Sequence, residues 1–206
     1  MRYTKYMTVQ CLIVLLCLTL TRAAQQDRPK FSPGPLSGFQ ARQTIEQVPL
    51  AARPFLREPD LRAAFGKLDP NRHGILPILV LIANDSGQTL SLDGLRVEFL
   101  TPDRRRIEAT SAADLRYLSG PPKPNMTPGP IPGRSPGLSR RKNPLSAWEI
   151  EGRAFSARML PARESASGFF YFQARFRGGS ILYVTGLRQA ASGKELFYFE
   201  LPLDSQ

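Results

Sequence analysis

Residues 75–83 read ILPILVLIA, opened by Gly74 and closed by Asn84-Asp85-Ser86-Gly87. A short uncharged run, rich in β-branched side chains and bounded by turn formers, predicts a strand rather than a helix. Neither alternate set of side chains is polar, so this strand is expected to be buried on both faces.

The texture changes at residues 89–103, TLSLDGLRVEFLTPD, where Leu95, Val97 and Phe99 alternate with Arg96 and Glu98. That is the period-2 pattern of a half-buried strand. Pro102-Asp103 predicts a turn, and residues 104–110 a short returning strand. Residues 111–118 read as a short helix capped by Ser or Thr. Further on, residues 148–157 suit a short helix or an irregular crossing. GFFYFQARF (168–176) sets Phe170, Phe172, Ala174 and Phe176 against Tyr171, Gln173 and Arg175. SILYVTGL (180–187) predicts another strand. KELFYFELPL (194–203) predicts the last, with Phe197, Phe199, Leu201 and Leu203 on one face. Gly178-Gly179 and Ala191-Ser192-Gly193 are turn signals between them.

N-terminal to the apolar run, residues 46–68 look locally helical, broken by Pro49 and Pro54. Glu58–Phe65 suits one or two turns, with acid and proline at its start and Gly66 as its stop. Leu61 and Phe65, four apart, share a face. Residues 24–45 mix Pro, Gly, Ser, Gln and charge without a period, which predicts a flexible leader. Residues 119–144 hold eight prolines and few large apolar side chains. Ordering them costs about 1–2 kcal/mol per residue with little burial in return, so a long disordered proline-rich insertion is expected. The predicted domain thus comprises residues 46–118 and 145–204.

The stretch GILPILVLIANDSGQTLSLDGLRVEFLTPD resembles a strand pair of immunoglobulin-like β-sandwiches found in exported bacterial proteins. LPARESASGFFYF, where small and polar residues precede an aromatic strand, resembles another part of them. The resemblance covers residues 64–204, interrupted by the proline-rich segment. It implies a mainly β fold: a single immunoglobulin-like β-sandwich with one or two short helices and a long loop. Its members are mostly binding or spacer modules, and no catalytic residue carries over. The Cys–Trp–Cys core of antibody domains is absent.

The first residues have the parts of a secretory signal. Arg2 and Lys5 precede the apolar run CLIVLLCLTL (11–20), and Thr21-Arg22-Ala23 offers small residues to a signal peptidase. The run is shorter than the ~20 apolar residues of a spanning helix; an uncleaved anchor extended through Met7–Gln10 is the alternative. Residues 1–23 are therefore expected to direct export to the periplasm or outside. They take both cysteines, Cys11 and Cys17, with them, which leaves no thiol nucleophile or thiolate metal site. The full chain carries 28 Lys+Arg against 17 Asp+Glu; without residues 1–23, 25 cations face 17 acids, a balance of +8. Such an excess favours solubility and contact with anionic material.

Chemistry-bearing patterns are sparse. Gly133-Arg134-Ser135-Pro136-Gly137 matches G-x-S-x-G but lies among prolines, without the strand and helix a nucleophile elbow requires. His73 is the only histidine and cannot build a multi-imidazole metal site. Glu149 and Glu151, two apart, read as solvated surface. Asn84-Asp85-Ser86 and Asn125-Met126-Thr127 match the glycosylation acceptor pattern. No cofactor is expected. The candidate anionic-ligand contacts are Arg104, Arg105 and Arg106 with Arg140, Arg141 and Lys142. The proline-rich segment, with Pro121-Pro122-Lys123-Pro124 and Pro130-Ile131-Pro132, is a candidate for docking aromatic grooves of partners. The expected function is non-enzymatic protein–protein contact in the cell envelope, with binding of an anionic envelope polymer or membrane surface as the alternative. Nucleic acid is disfavoured, because the aromatics occupy core positions instead of a stacking platform.

Overall fold

The computed structural model describes residues 31–118 and 143–203. Residues 1–30, the proline-rich segment 119–142 and residues 204–206 lie outside the described residues. The signal sequence, the G-x-S-x-G pattern, Asn125 and the cluster Arg140, Arg141 and Lys142 therefore fall outside them too.

The fold is mainly β. A hairpin of β1 (Ala41–Ile45) and β2 (Val48–Pro54) leads to helix α1 (Glu58–Phe65) and then to β3 (Leu76–Ala83). There follow β4 (Leu90–Ser91), β5 (Arg96–Leu100), β6 (Arg106–Glu108) and helix α2 (Ala112–Leu118). After the proline-rich segment come α3 (Trp148–Gly152), β7 (Met159–Leu160), β8 (Ser165–Phe172), β9 (Ser180–Thr185), β10 (Arg188–Gln189) and β11 (Phe199–Leu203). They make two four-stranded antiparallel sheets, β1-β2-β3-β8 and β11-β9-β5-β6, and a small sheet β10-β4-β7.

Every residue of β3 except Ala83 is buried. Leu76, Ile78, Val80 and Ile82 pack with Val97 and Phe99 of β5, Leu182 and Val184 of β9, and the core residues of β11, in a core between the two large sheets. The intervening residues face the opposite way, beside Phe169 and Tyr171 of β8. There Phe55 lies edge-on to Phe169 at 4.8 Å, and Phe65 of α1 lies 4.8 Å from the same ring. Buried Leu61, Leu115 and Ile150 bring α1, α2 and α3 to this layer. The first sheet is thus covered by a sheet on one side and by helices on the other, which is why its central strand carries no polar face.

Pro77 stands inside this central strand, where a missing N–H normally breaks a ladder. The Phe55 amide donates to the Pro77 carbonyl at 3.0 Å. The reciprocal bond has no donor. The Phe55 carbonyl accepts instead from Asn71 Nδ2 at 2.9 Å, so the side chain of Asn71 replaces the absent amide. Asn71 is held by the turn it belongs to, with Asp69 Oδ1 accepting from its N–H at 3.0 Å.

Three expectations need correction. The leader does not extend to residue 45, and residues 48–54 are not helical, because 41–54 form the β1–β2 hairpin. Its turn, Glu46-Gln47, has φ of +46° and +61°, an arrangement ordinarily advertised by Asn or Gly. Each proline of β2 sits where the strand has a neighbour on one side only: Pro49 pairs with β1 alone and Pro54 with β3 alone. Phe39, also assigned to the leader, is buried, and the Arg53 guanidinium lies 5.4 Å from its ring and 4.9 Å from that of Phe55. Second, the strand read at 168–176 runs from Ser165 to Phe172, and Tyr171 faces the helices with its hydroxyl donating to the Ile150 carbonyl at 2.8 Å. Third, Phe197 does not share the buried face of Phe199, Leu201 and Leu203; it is 70% exposed and precedes the strand.

Asn84 is fully buried, although its triplet matches a glycosylation acceptor. Its Nδ2 donates to the carbonyls of Gln88, Leu160 and Pro161, and its Oδ1 accepts from Ser86. That amide ties the end of β3 to β7 and is not free for a glycan.

At Gly168 the backbone of Ala154-Phe155 crosses β8, with the Phe155 N–H donating to the Phe169 carbonyl at 3.1 Å. A Cβ on Gly168 would stand 2.4 Å from Phe155 Cα and 2.5 Å from its nitrogen. Gly168→Ala is expected to cost about 1–3 kcal/mol through overpacking of backbone on backbone. Equilibrium urea unfolding checks this, and an unchanged midpoint would refute the close crossing.

Candidate functional site

At one end of the sandwich three connections meet: the turn entering β3, the β5–β6 hairpin and the β8–β9 loop. The hairpin is closed by Thr101, whose backbone N–H donates to the Arg105 carbonyl at 3.0 Å. Its hydroxyl oxygen accepts from the Arg105 N–H at 3.1 Å. Arg104 takes φ of +62° at the tip. This locks the turn despite its run of three arginines.

The three connections enclose a cleft of about 480 Å³ lined by Arg105, Arg175, Arg177, His73, Gln173 and Asp103. Three guanidinium groups from two loops thus share one cavity with a single lining carboxylate. Gly74 and Ala174 at its wall leave it open. The Asp103 carboxyl is held below the usual carboxylate range, first by a hydrogen bond from Thr101, then by its own backbone amide and by the charges of Arg105 and Arg177. Asp103 is itself exposed, so it shares the cleft with these cations in contact with solvent.

Clustered guanidinium groups are suited to phosphate, sulfate or carboxylate oxygens, because each presents a planar fork of donors. Among the described residues no group of three or more His, Cys, Asp or Glu stands close enough to hold a metal ion.

The cluster predicted from sequence is divided by the fold. Arg105 lines the cleft. Arg106, the next residue and the first of β6, pairs with Glu98 at 2.9 Å and lies 5.1 Å from the Tyr183 ring. Arg104 is exposed at the hairpin tip and does not line the cleft. Arg175, Arg177 and His73 join the cleft from outside that cluster. The available signal was two arginines at i and i+2, just before Gly178-Gly179, in a segment too near a turn to stay in the sheet. Glu151 forms an ion pair with Arg116, so the Glu149/Glu151 pair is not an isolated acid dyad.

No family model matches the chain, and no curated protein matches it. Among solved structures it is similar to a functionally unknown protein from Listeria monocytogenes EGD-e, with a TM-score of 0.36 and 10% identity over 80% of this chain and 82% of that one. So remote a likeness carries no argument about fold or function.

The electrostatics of the cleft give a direct expectation. A depressed carboxyl pKa means that Asp103 stabilises the folded protein above the ordinary carboxylate range, and that this contribution is lost as pH falls through the lower folded value. NMR titration of the Asp103 side chain is expected to give a midpoint below the free-aspartate value of 3.8. Thr101→Val is expected to move it up. A midpoint at or above the free value would remove Asp103 from this network.

Proposed function

We propose that the protein is an exported, non-enzymatic binding module whose basic cleft holds an anionic group of an envelope polymer or membrane surface. The observation that carries this reading is the meeting of Arg105, Arg175 and Arg177 around one cavity with His73 and Gln173. An excess of surface cations alone keeps a protein soluble; cations gathered in one cleft, on loops fixed by a sheet, form a site with a shape. Export belongs to the same proposal and rests on residues 1–23. So does an immunoglobulin-like assignment of the sandwich, which draws support from the two four-stranded antiparallel sheets across one core.

Protein–protein contact is a second reading, favoured by a different surface. Phe197 and Tyr198 are 70% and 50% exposed just before β11, and Tyr198 lies 5.2 Å from Tyr183 on the outer side of the second sheet. Exposed aromatics of this kind are typical interface anchors.

Retention on polyphosphate tests the first reading. Replacing Arg105, Arg175 and Arg177 together by Gln is expected to weaken binding at least about tenfold, given the strength of charge-assisted hydrogen bonds. The same loss of charge at Lys67, Arg158 and Arg188, outside the cleft, is expected to cost less than about threefold, as for screened surface charge. Asp103→Asn is expected to tighten binding. Equal losses for the two triple variants would show that net charge, not the cleft, governs retention.

A further inference from the structure

The end of the sandwich that carries the basic cleft is where β3 and β9 begin and where β5 and β8 finish. The antiparallel registers bring three more strand ends to it: the start of β1, the end of β2 and the end of β11. These three enclose a second cavity, of about 180 Å³, walled by Ala41, Ala52, Pro54 and Leu203 and carrying Arg42 and Arg53. No acid among the described residues lines it.

Arg53 is the better fixed of its two cations. The guanidinium lies over the rings of both Phe39 and Phe55, which are themselves buried. Ring faces attract a cation but supply no acceptor to its N–H groups. The Nε of Arg53 is buried and makes no hydrogen bond, and no described carboxylate forms an ion pair with this side chain. A half-buried cation left in this way is costly until an anion pairs with it. Arg42 is exposed and gives one terminal nitrogen to the Ser37 carbonyl at 3.3 Å. It too has no ion pair with a described residue.

The two ends of the sandwich differ in charge. At this end Arg57 is paired with Asp60 and Arg72 with Asp69. That leaves Arg42, Arg53, Arg105, Arg175 and Arg177 in two cavities whose one lining acid is Asp103. At the other end Lys194 and Arg188 are paired with Glu46 and Glu195, and Asp85, Asp93 and Glu164 stand in turns beside Arg163. The strands that lead to the two cavities are close neighbours. β2 and β8 lie two places apart in the first sheet, about 10 Å at the usual strand spacing.

We infer that the two cavities are subsites of one track, and that its ligand is a linear polyanion long enough to place anionic groups in both. This deepens the reading of the basic cleft as an anion site and rests on it. Recessed subsites suit a flexible chain, whose groups enter them one by one. A bilayer presents its headgroups in a plane and meets first what protrudes, such as Arg104 at the hairpin tip. A chain held in one subsite reaches the other at high effective concentration, so affinity depends on chain length.

The test is calorimetric titration of the full chain with tripolyphosphate and with long-chain polyphosphate. The long chain is expected to bind at least about tenfold more tightly. Arg42→Glu, at an exposed position, and Arg53→Gln are each expected to weaken long-chain binding at least about fivefold, through loss of the second contact. Both are expected to leave tripolyphosphate, held in the cleft, within about twofold, since the lost charge is screened at that separation. Arg158→Glu, exposed at the other end, is the control. The track is overturned, with the cleft reading intact, if tripolyphosphate binding is lost in the triple Arg105, Arg175 and Arg177 variant but neither Arg42→Glu nor Arg53→Gln alters long-chain binding. Both readings fall together if that triple variant binds both probes as the parent does. An equal loss in Arg158→Glu would overturn the track by showing net charge alone. Tighter binding to phosphatidylglycerol vesicles than to long-chain polyphosphate, at matched phosphate, would overturn it in favour of a membrane surface.

Discussion

Everything in this fold is arranged around a strand that touches water on neither face. β3 sends Leu76, Ile78, Val80 and Ile82 into the core between the sheets and Leu79 and Leu81, also buried, to the helical side. Burying a large aliphatic side chain stabilises by about 1.5–3 kcal/mol, so a strand that does this on both faces requires two layers to cover it. The second sheet is one layer. The helices, with Phe55, Phe65, Phe169 and Tyr171, are the other. The backbone has to be satisfied at the same time, and the substitution of Asn71 for the amide that Pro77 lacks shows how closely that requirement is met.

The two cavities follow from the same arrangement. At the end where β3 and β9 begin, three connections must turn together, and their charged residues are forced into one another's vicinity; the basic cleft is the outcome. Along the side, Ala109 and Thr110 bridge the sheets by bonding to Val97 and Tyr171. On the opposite side, Gln43 Oε1 accepts from the Glu200 N–H at 2.9 Å, so β1 caps the otherwise free edge of β11. The second cavity lies just past that contact, where β2 and β11 end beside the start of β1.

What was legible in the sequence was what depends on local pattern. The unbroken apolar run of 75–83 announced a strand buried on both faces, and Leu95, Val97 and Phe99 announced a half-buried one. Leu61 and Phe65 announced the helix face that docks on Phe169. The β1–β2 hairpin was hidden because Glu46 and Gln47 hold left-handed angles without the usual Gly or Asn, and because prolines in β2 look like breakers until the neighbouring strands are known. The basic cleft was half legible: Arg105 belonged to an obvious cluster. Arg175 resembled an outward position of a strand that in fact ends at Phe172, and Arg177 lay just beyond that predicted strand. The second cavity was not legible at all, since it depends on the hidden hairpin and on the return of β11 beside β1, and no local pattern encodes that meeting.

The central claim is that β3 is buried equally on both sides. Ile78 faces the second sheet and Leu79 faces the helices, so comparison of Ile78→Ala with Leu79→Ala by equilibrium denaturation tests it most directly. The two-sided arrangement predicts that each costs about 2–5 kcal/mol, the range for large-to-small changes in a packed core. A loss below about 1 kcal/mol for either one, as expected of a surface position, would mean that one face of the strand is not covered and would contradict the account.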